Sequence, residues 1–146
     1  MDRCQRLPDM RLNVLLIDDN PLFVVAASRF LSEFCDVNVV AAAGDGVEGL
    51  ARARELNPDV VMIDQGMSPL TGLDTVVSLR ALPAPPAVII VTLNATPQLR
   101  QAARERGCEL VISKIDFTRQ IGPALEALAA ERRPTAVVGS RISVRS

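Results

Sequence analysis

Histidine, tryptophan and tyrosine are absent from this 146-residue chain, and its aromatic residues are four phenylalanines. Without histidine there is no Ser-His or Cys-His pair to activate a nucleophile. The three cysteines, Cys4, Cys35 and Cys108, are far apart and lack the spacing of zinc ligands. Their odd number suits a reducing compartment, with Cys35 and Cys108 expected as small hydrophobes. So few rings exclude a stacking platform for single-stranded nucleic acid. Charge of neither sign prevails: 16 basic residues face 17 acidic ones, for a net charge of -1. No long-range field therefore favours nucleic acid or an anionic membrane. No apolar run approaches a membrane span, and the N-terminus has no signal-peptide core. Together these absences point to a cytoplasmic location, with no membrane partner and no direct contact with nucleic acid.

What the chain does have is apolar content, 49% of its residues, enough for one domain with a core of its own. Short apolar runs alternate with helical periodicity five times. The runs are Leu12–Ile17, Val37–Ala43, Val60–Ile63, Val88–Val91 and Leu110–Ile112, continuous as parallel strands covered on both faces should be. Asn20-Pro21 reads as a cap and first helical position, and Phe23, Ala26, Ala27, Phe30, Leu31 and Phe34 then follow helical spacing. A second helix is expected from about Asp45 to Leu56, and a third from about Thr71 to Leu82. A fourth runs from the Thr96 cap to the Gly107 stop. A fifth runs from about Phe117 to Glu131, its start made irregular by Gly122-Pro123. This pattern predicts an α/β, doubly wound (βα)5 domain with a five-stranded parallel sheet over residues 12–131. Residues 1–11 and 132–146 read as tails, the second rich in arginine and too short for a helix-turn-helix domain.

In such a sheet, ligands bind beyond the carboxyl ends of the strands. Five polar residues collect there: Asp18 and Asp19 after the first strand, Asp64 after the third, Thr92 ending the fourth and Lys114 after the fifth. Any one of them could cap a helix or solvate an end, but five on one rim are more than capping needs. Three carboxylates make a hard-oxygen site suited to Mg²⁺, which takes carboxylates together with waters and phosphate oxygens. Lysine and threonine add a cation and a hydroxyl for phosphoryl oxygens. The chemistry implied is phosphoryl transfer onto a carboxylate.

Those residues, with "MIDQGMSPLTGLD" around Asp64, "VTLNAT" around Thr92 and "LVISK" ending at Lys114, resemble the receiver domain of bacterial two-component response regulators. The resemblance covers about Leu12 to Ala130. It implies the flavodoxin-like strand order 2-1-3-4-5 and a phosphoacceptor at Asp64, charged by a sensor histidine kinase or phosphotransfer protein. It implies direct Mg²⁺ ligation by Asp19, Asp64 and the backbone carbonyl of Gly66, with Asp18 acting mostly through water. Thr92 and Lys114 would hold the phosphoryl oxygens. The implied protein is a switch, not a turnover enzyme, and catalyses only its own phosphorylation and dephosphorylation. Its downstream partner is another protein or an output domain, and a homodimer through helices four and five is left open.

The chain departs from the family pattern at four places. Met-Pro after the phosphoacceptor becomes Met67-Ser68, with Pro69 one residue later. Ile115 replaces the proline that commonly follows the lysine. A non-proline cis bond costs about 3 kcal/mol, so a trans turn is expected. Val111 stands where a tyrosine or phenylalanine usually rotates on activation, and Leu93 stands where a small residue is usual, which leads us to expect crowding of the phosphoryl pocket. Slow or atypical switching is the expectation that follows.

Two other readings compete. A pseudo-receiver would keep the fold as an interaction module without phosphate, as the unusual Ser68, Val111 and Ile115 suggest; the complete Asp64, Asp19, Thr92 and Lys114 oppose it. A dinucleotide-binding domain is suggested by Gly44-Asp45-Gly46-Val47-Glu48-Gly49, a literal G-x-G-x-x-G. Asp45 and Glu48 would place negative charge against a pyrophosphate, so the segment reads better as a glycine-rich helix entry. A haloacid-dehalogenase-like phosphatase would want an acid at the position of Gly66 and is set aside.

Overall fold

Every expected run becomes a strand in the computed structural model, which describes residues 11–138, with side chains as far as Glu131. The order is β1 (Leu12–Ile17), α1 (Pro21–Leu31), β2 (Val37–Ala43), α2 (Gly46–Leu56), β3 (Val60–Ile63), α3 (Gly72–Arg80), β4 (Ala87–Thr92), α4 (Pro97–Glu105), β5 (Leu110–Ser113) and α5 (Phe117–Val138). All strand pairs are parallel, in the order β2-β1-β3-β4-β5. The first ten residues, with Cys4, and the C-terminal stretch holding Arg141 and Arg145 lie outside the described residues.

The sheet divides the core in two because side chains alternate across a strand. Leu12, Val14 and Leu16 of β1 pack with Met62, Ile89 and Ile112 under α1 and α5. Leu15 and Ile17 pack with Val61, Ile63, Ile90 and Val111 under α2, α3 and α4. Strands β1, β3 and β4 are almost wholly buried, which explains their unbroken apolar character, while the edge strand β5 buries Val111 and Ile112.

Helix ends follow the sequence closely. Asn20 Oδ1 accepts from the Leu22 and Phe23 amides ahead of Pro21. Asp45, Thr71 and Thr96 cap α2, α3 and α4, and Thr71 and Asp74 cap one another reciprocally. Gly107, at φ +90°, takes the left-handed turn that ends α4 and lets the Cys108 amide reach Ala103 O at 2.9 Å.

Two expectations need correction. Helix α5 starts regularly at Phe117 and passes straight through Gly122-Pro123, continuing to Val138. Pro123 removes only one backbone donor, and Gly122 is where the helix presses on its neighbour: a Cβ there would lie 3.2 Å from the Phe34 ring. Cys108 is free and buried as expected, but Cys35 is disulfide-bonded and not a small free hydrophobe.

Candidate phosphoacceptor site

Parallel pairing brings the carboxyl ends of β1, β3, β4 and β5 to one edge. Ile17 pairs with Ile63, Ile63 with Ile90, and Thr92 with Ser113. The next residues therefore share a rim, and the Asp64 amide donates to Ile17 O at 2.9 Å. Asp18, Asp64 and Lys114 are each two residues beyond a member of the α1/α5 core layer (Leu16, Met62 and Ile112), so strand alternation directs all three to that side. Burial is nearly complete at Asp18 and Asp64, which are 6% and 9% exposed, and at Thr92, whereas Asp19 is exposed.

Lysine joins the acids directly. Lys114 Nζ lies 2.8 Å from Asp18 Oδ2 and 3.4 Å from Asp64 Oδ1. It also stands 4.5 Å from the centre of the Phe23 ring, a cation–π distance. Asp18 Oδ1 accepts from the Asn20 amide at 2.8 Å, and Asp64 Oδ2 accepts from the Gly66 amide at 3.2 Å. Thr92 Oγ1 accepts from the Asn94 amide at 3.3 Å. Burial raises the pKa of Asp64 above the usual carboxylate value, and the Asp18 charge raises it further against the pull of Lys114. Burial draws the Lys114 ammonium downward, but Asp18 and then Asp64 outweigh it and hold its pKa above the ordinary lysine value.

The donor set fits a hard divalent cation. Asp18, Asp19 and Asp64 each offer an oxygen, all within 4.8 Å of one another. Asp18 Oδ2 is fully buried and, despite its ion pair with Lys114, has no aligned hydrogen-bond donor, so it keeps acceptor capacity to spare. Three carboxylates against one ammonium leave a formal charge of -2 in the pocket, the charge that Mg²⁺ cancels.

The response regulator receiver domain model matches residues 14–121. The chain belongs to the receiver-domain family of response regulators. A nitrate/nitrite response regulator homologue of Haemophilus influenzae is 37% identical over 84 residues, 58% of this chain and 40% of that protein. The nitrate/nitrite response regulator NarL of Escherichia coli is 27% identical over 117 residues, 80% of this chain and 54% of the relative. The chain thus spans about half the length of the curated relatives it matches. Among solved structures, the signal receiver domain of a NarL response regulator from Mycobacterium tuberculosis superposes with a TM-score of 0.78 at 28% identity. That match covers 84% of this chain and 98% of that one. These relatives are response regulators, and the flavodoxin-like receiver fold is the one described above.

Within this receiver the glycine-rich segment is a packing device, not a phosphate cradle. A Cβ on Gly46 would lie 2.4 Å from Thr75 Oγ1, and one on Gly49 would lie 2.3 Å from Ile17 Cδ1. The glycines let α2 lie close to α3 and β1. The helix start is occupied by its own acids: Asp45 Oδ1 accepts from the Glu48 amide, and Glu48 Oε1 from the Gly44 amide.

The departures from the family pattern resolve unequally. The Lys114–Ile115 bond is trans, as expected; the cis bond among the described residues is Ser68–Pro69. Lys114 opens a single 3₁₀ turn, Lys114–Asp116, capped by the Ser113 hydroxyl accepting from the Ile115 amide. Leu93 was expected to crowd the pocket, but it lies one residue beyond the end of β4 and is 72% exposed. Val111 is buried in the layer under α2, α3 and α4.

Two residues escaped the sequence reading. Gln65 fixes the start of α3 beneath the acceptor loop: its Oε1 accepts from the Leu73 amide at 2.8 Å and its carbonyl from the Gly72 amide at 3.2 Å. Gly72 permits this approach, since a Cβ there would lie 2.8 Å from Asp64 O. Phe23 registered only as one member of an apolar helix face, and its position above Lys114 carried no sequence signal. Among the described residues no helix is long and apolar enough to cross a membrane.

Proposed function

We propose that Asp64 accepts a phosphoryl group from a phosphohistidine donor and that the resulting change alters the affinity of this chain for a protein partner. The observation that carries the reading is the ion-paired Lys114 between two buried carboxylates at the end of the central strands. In the transfer, an Asp64 oxygen forms the new O–P bond as the P–N bond to the donor imidazole breaks, and the imidazole keeps the electron pair. Lys114 neutralises charge at the acceptor, and the Thr92 hydroxyl at the rim donates to a phosphoryl oxygen. Asp18, Asp19, Asp64 and the Gly66 carbonyl would hold Mg²⁺, which supplies charge neutralisation for the transferring group.

The chemistry beyond the switch is limited to self-catalysed phosphorylation and hydrolysis. The partners are a sensor histidine kinase or phosphotransfer protein, and a downstream protein or an output domain. The surface of α4 and α5 is where two copies would meet. The setting proposed is the cytoplasm. Incubation with phosphoramidate and Mg²⁺ should add one acid- and base-labile phosphoryl group by intact mass, and Asp64→Asn should abolish it. An unmodified wild-type mass would favour a pseudo-receiver, and a label persisting in the variant would move the acceptor elsewhere.

A further inference from the structure

Lysine side chains are flexible, and this chain lacks the residue that commonly steers the lysine in its family: Ile115 follows Lys114, and it is 82% exposed. The ammonium is nonetheless held in one place, over Asp18, Asp64 and the Phe23 ring. That ring is itself fixed. Phe117 meets it edge-on, with centroids 5.4 Å apart and planes at 72°. Phe117 is buried and packs in turn against Phe30 at 6.1 Å, and Phe30 against Phe34 at 5.4 Å. The four phenylalanines of the chain thus form one row that begins at the lysine.

We infer that Phe23 is a positioning residue for Lys114, its ring face holding the ammonium over the Asp18–Asp64 pair in place of the missing proline. Its consequence for phosphoryl transfer rests on the function proposed above; its consequence for the lysine does not. A plain core role for Phe23 would be met by any apolar side chain of similar size. The positioning role needs a π face.

The test compares wild type with Phe23→Leu and Phe23→Tyr. In wild type, the Lys114 Hε and Hδ resonances should be moved upfield by the ring and show cross-peaks to the Phe23 ring protons. In Phe23→Leu they should return to ordinary lysine positions, and in Phe23→Tyr they should stay shifted. Phosphorylation by phosphoramidate should slow about fivefold in Phe23→Leu and recover in Phe23→Tyr, the factor given by ~1 kcal/mol of cation–π attraction. Ordinary Lys114 shifts in wild type would overturn the inference, even if Phe23→Leu fails to fold. So would equal slowing in both variants, or a Phe23→Leu rate within twofold of wild type. A wild-type protein that takes no phosphoryl group but shows the Lys114 shifts would overturn the proposed function and leave the positioning role standing.

Discussion

Replacing Asp64 by Asn should raise the thermal stability of the metal-free protein while removing most of its stabilisation by Mg²⁺. Asp18, Asp19 and Asp64 present oxygens within 4.8 Å of one another. At that separation and an effective dielectric of 20, each like-charged pair repels by about 3–4 kcal/mol. Lys114, 2.8 Å and 3.4 Å from two of the acids, offsets part of this repulsion but is a single charge. Burial first, and the Asp18 charge second, raise the pKa of Asp64, so part of that rise reflects the same repulsion. The isosteric amide removes one of the three charges and keeps the shape, so the apo variant should melt higher. Mg²⁺ binding stabilises the wild type by linkage: at a free concentration ten times its dissociation constant, it adds about 1.4 kcal/mol. For a domain of this size that is a shift of about 3–6 °C. The assay is scanning calorimetry in EDTA and across a Mg²⁺ titration, for wild type and Asp64→Asn. An Asp64→Asn variant that melts lower than wild type in EDTA would refute the repulsion argument. An equal Mg²⁺ shift in both proteins would refute Asp64 as a ligand.

Three further outcomes test the scaffold that carries the site. Gly49→Ala forces a Cβ to within 2.3 Å of Ile17 Cδ1 and 2.8 Å of its Cγ1, at a fully buried side chain. Overpacking of about 1–3 kcal/mol should exceed the ~1 kcal/mol gained in helix propensity. Urea unfolding should therefore show a net loss, with Gly44→Ala, whose nearest neighbour is at 3.9 Å, as a near-neutral control; a Gly49→Ala variant as stable as wild type would show that α2 is not seated as described. Thr71→Ala should cost about 1 kcal/mol by urea unfolding, because the hydroxyl that caps the Asp74 amide is lost. The Thr71 amide and then its hydroxyl hold the Asp74 pKa below the usual value, so Asp74 stabilises the fold above that value and loses this contribution as pH falls through the lowered one. Asp74→Asn should thus flatten the acid limb of stability below about pH 4, and an unchanged limb would count against the capping box.

The sequence was most legible where one physical constraint acted on each residue. Burial on both faces demands continuous apolar strands, so the ends of β1 and β3 could be read to the residue and those of β4 to within one; the half-buried edge strands β2 and β5 were read as closely from their apolar runs. Helix starts were legible because the first amides of a helix lack intrahelical partners: Asn20 and Thr96 were read as caps, and the expected starts Asp45 and Thr71 prove to cap α2 and α3. Strand ends then placed Asp18, Asp64, Thr92 and Lys114 on one rim. Legibility failed where a residue answered to contacts distant in sequence. Gly122-Pro123 looks like a helix breaker in isolation, yet its glycine serves the approach of α5 to Phe34. Gly44 to Gly49 was legible as a helix entry from its acids, but the packing that requires its glycines, against Thr75 and Ile17, is distant in sequence.

The same distinction bears on how a signal could leave the pocket. Strand alternation turns Asp18, Asp64 and Lys114 toward α1 and α5, the side on which all four phenylalanines pack. It leaves Val111 on the opposite face, in a layer that contains no aromatic ring. A change in charge at Asp64 acts first on Lys114, its nearest cation, and Lys114 touches the α1 ring Phe23. The ammonium thus links Asp64 to the α1–α5 packing, whereas α4 is tied to β5 by the Arg100 guanidinium donating to Val111 O at 2.7 Å. In a chain that lacks the usual rotating ring, the aromatic row is a packed connection from the Lys114 ammonium through Phe23 to Phe117 of α5.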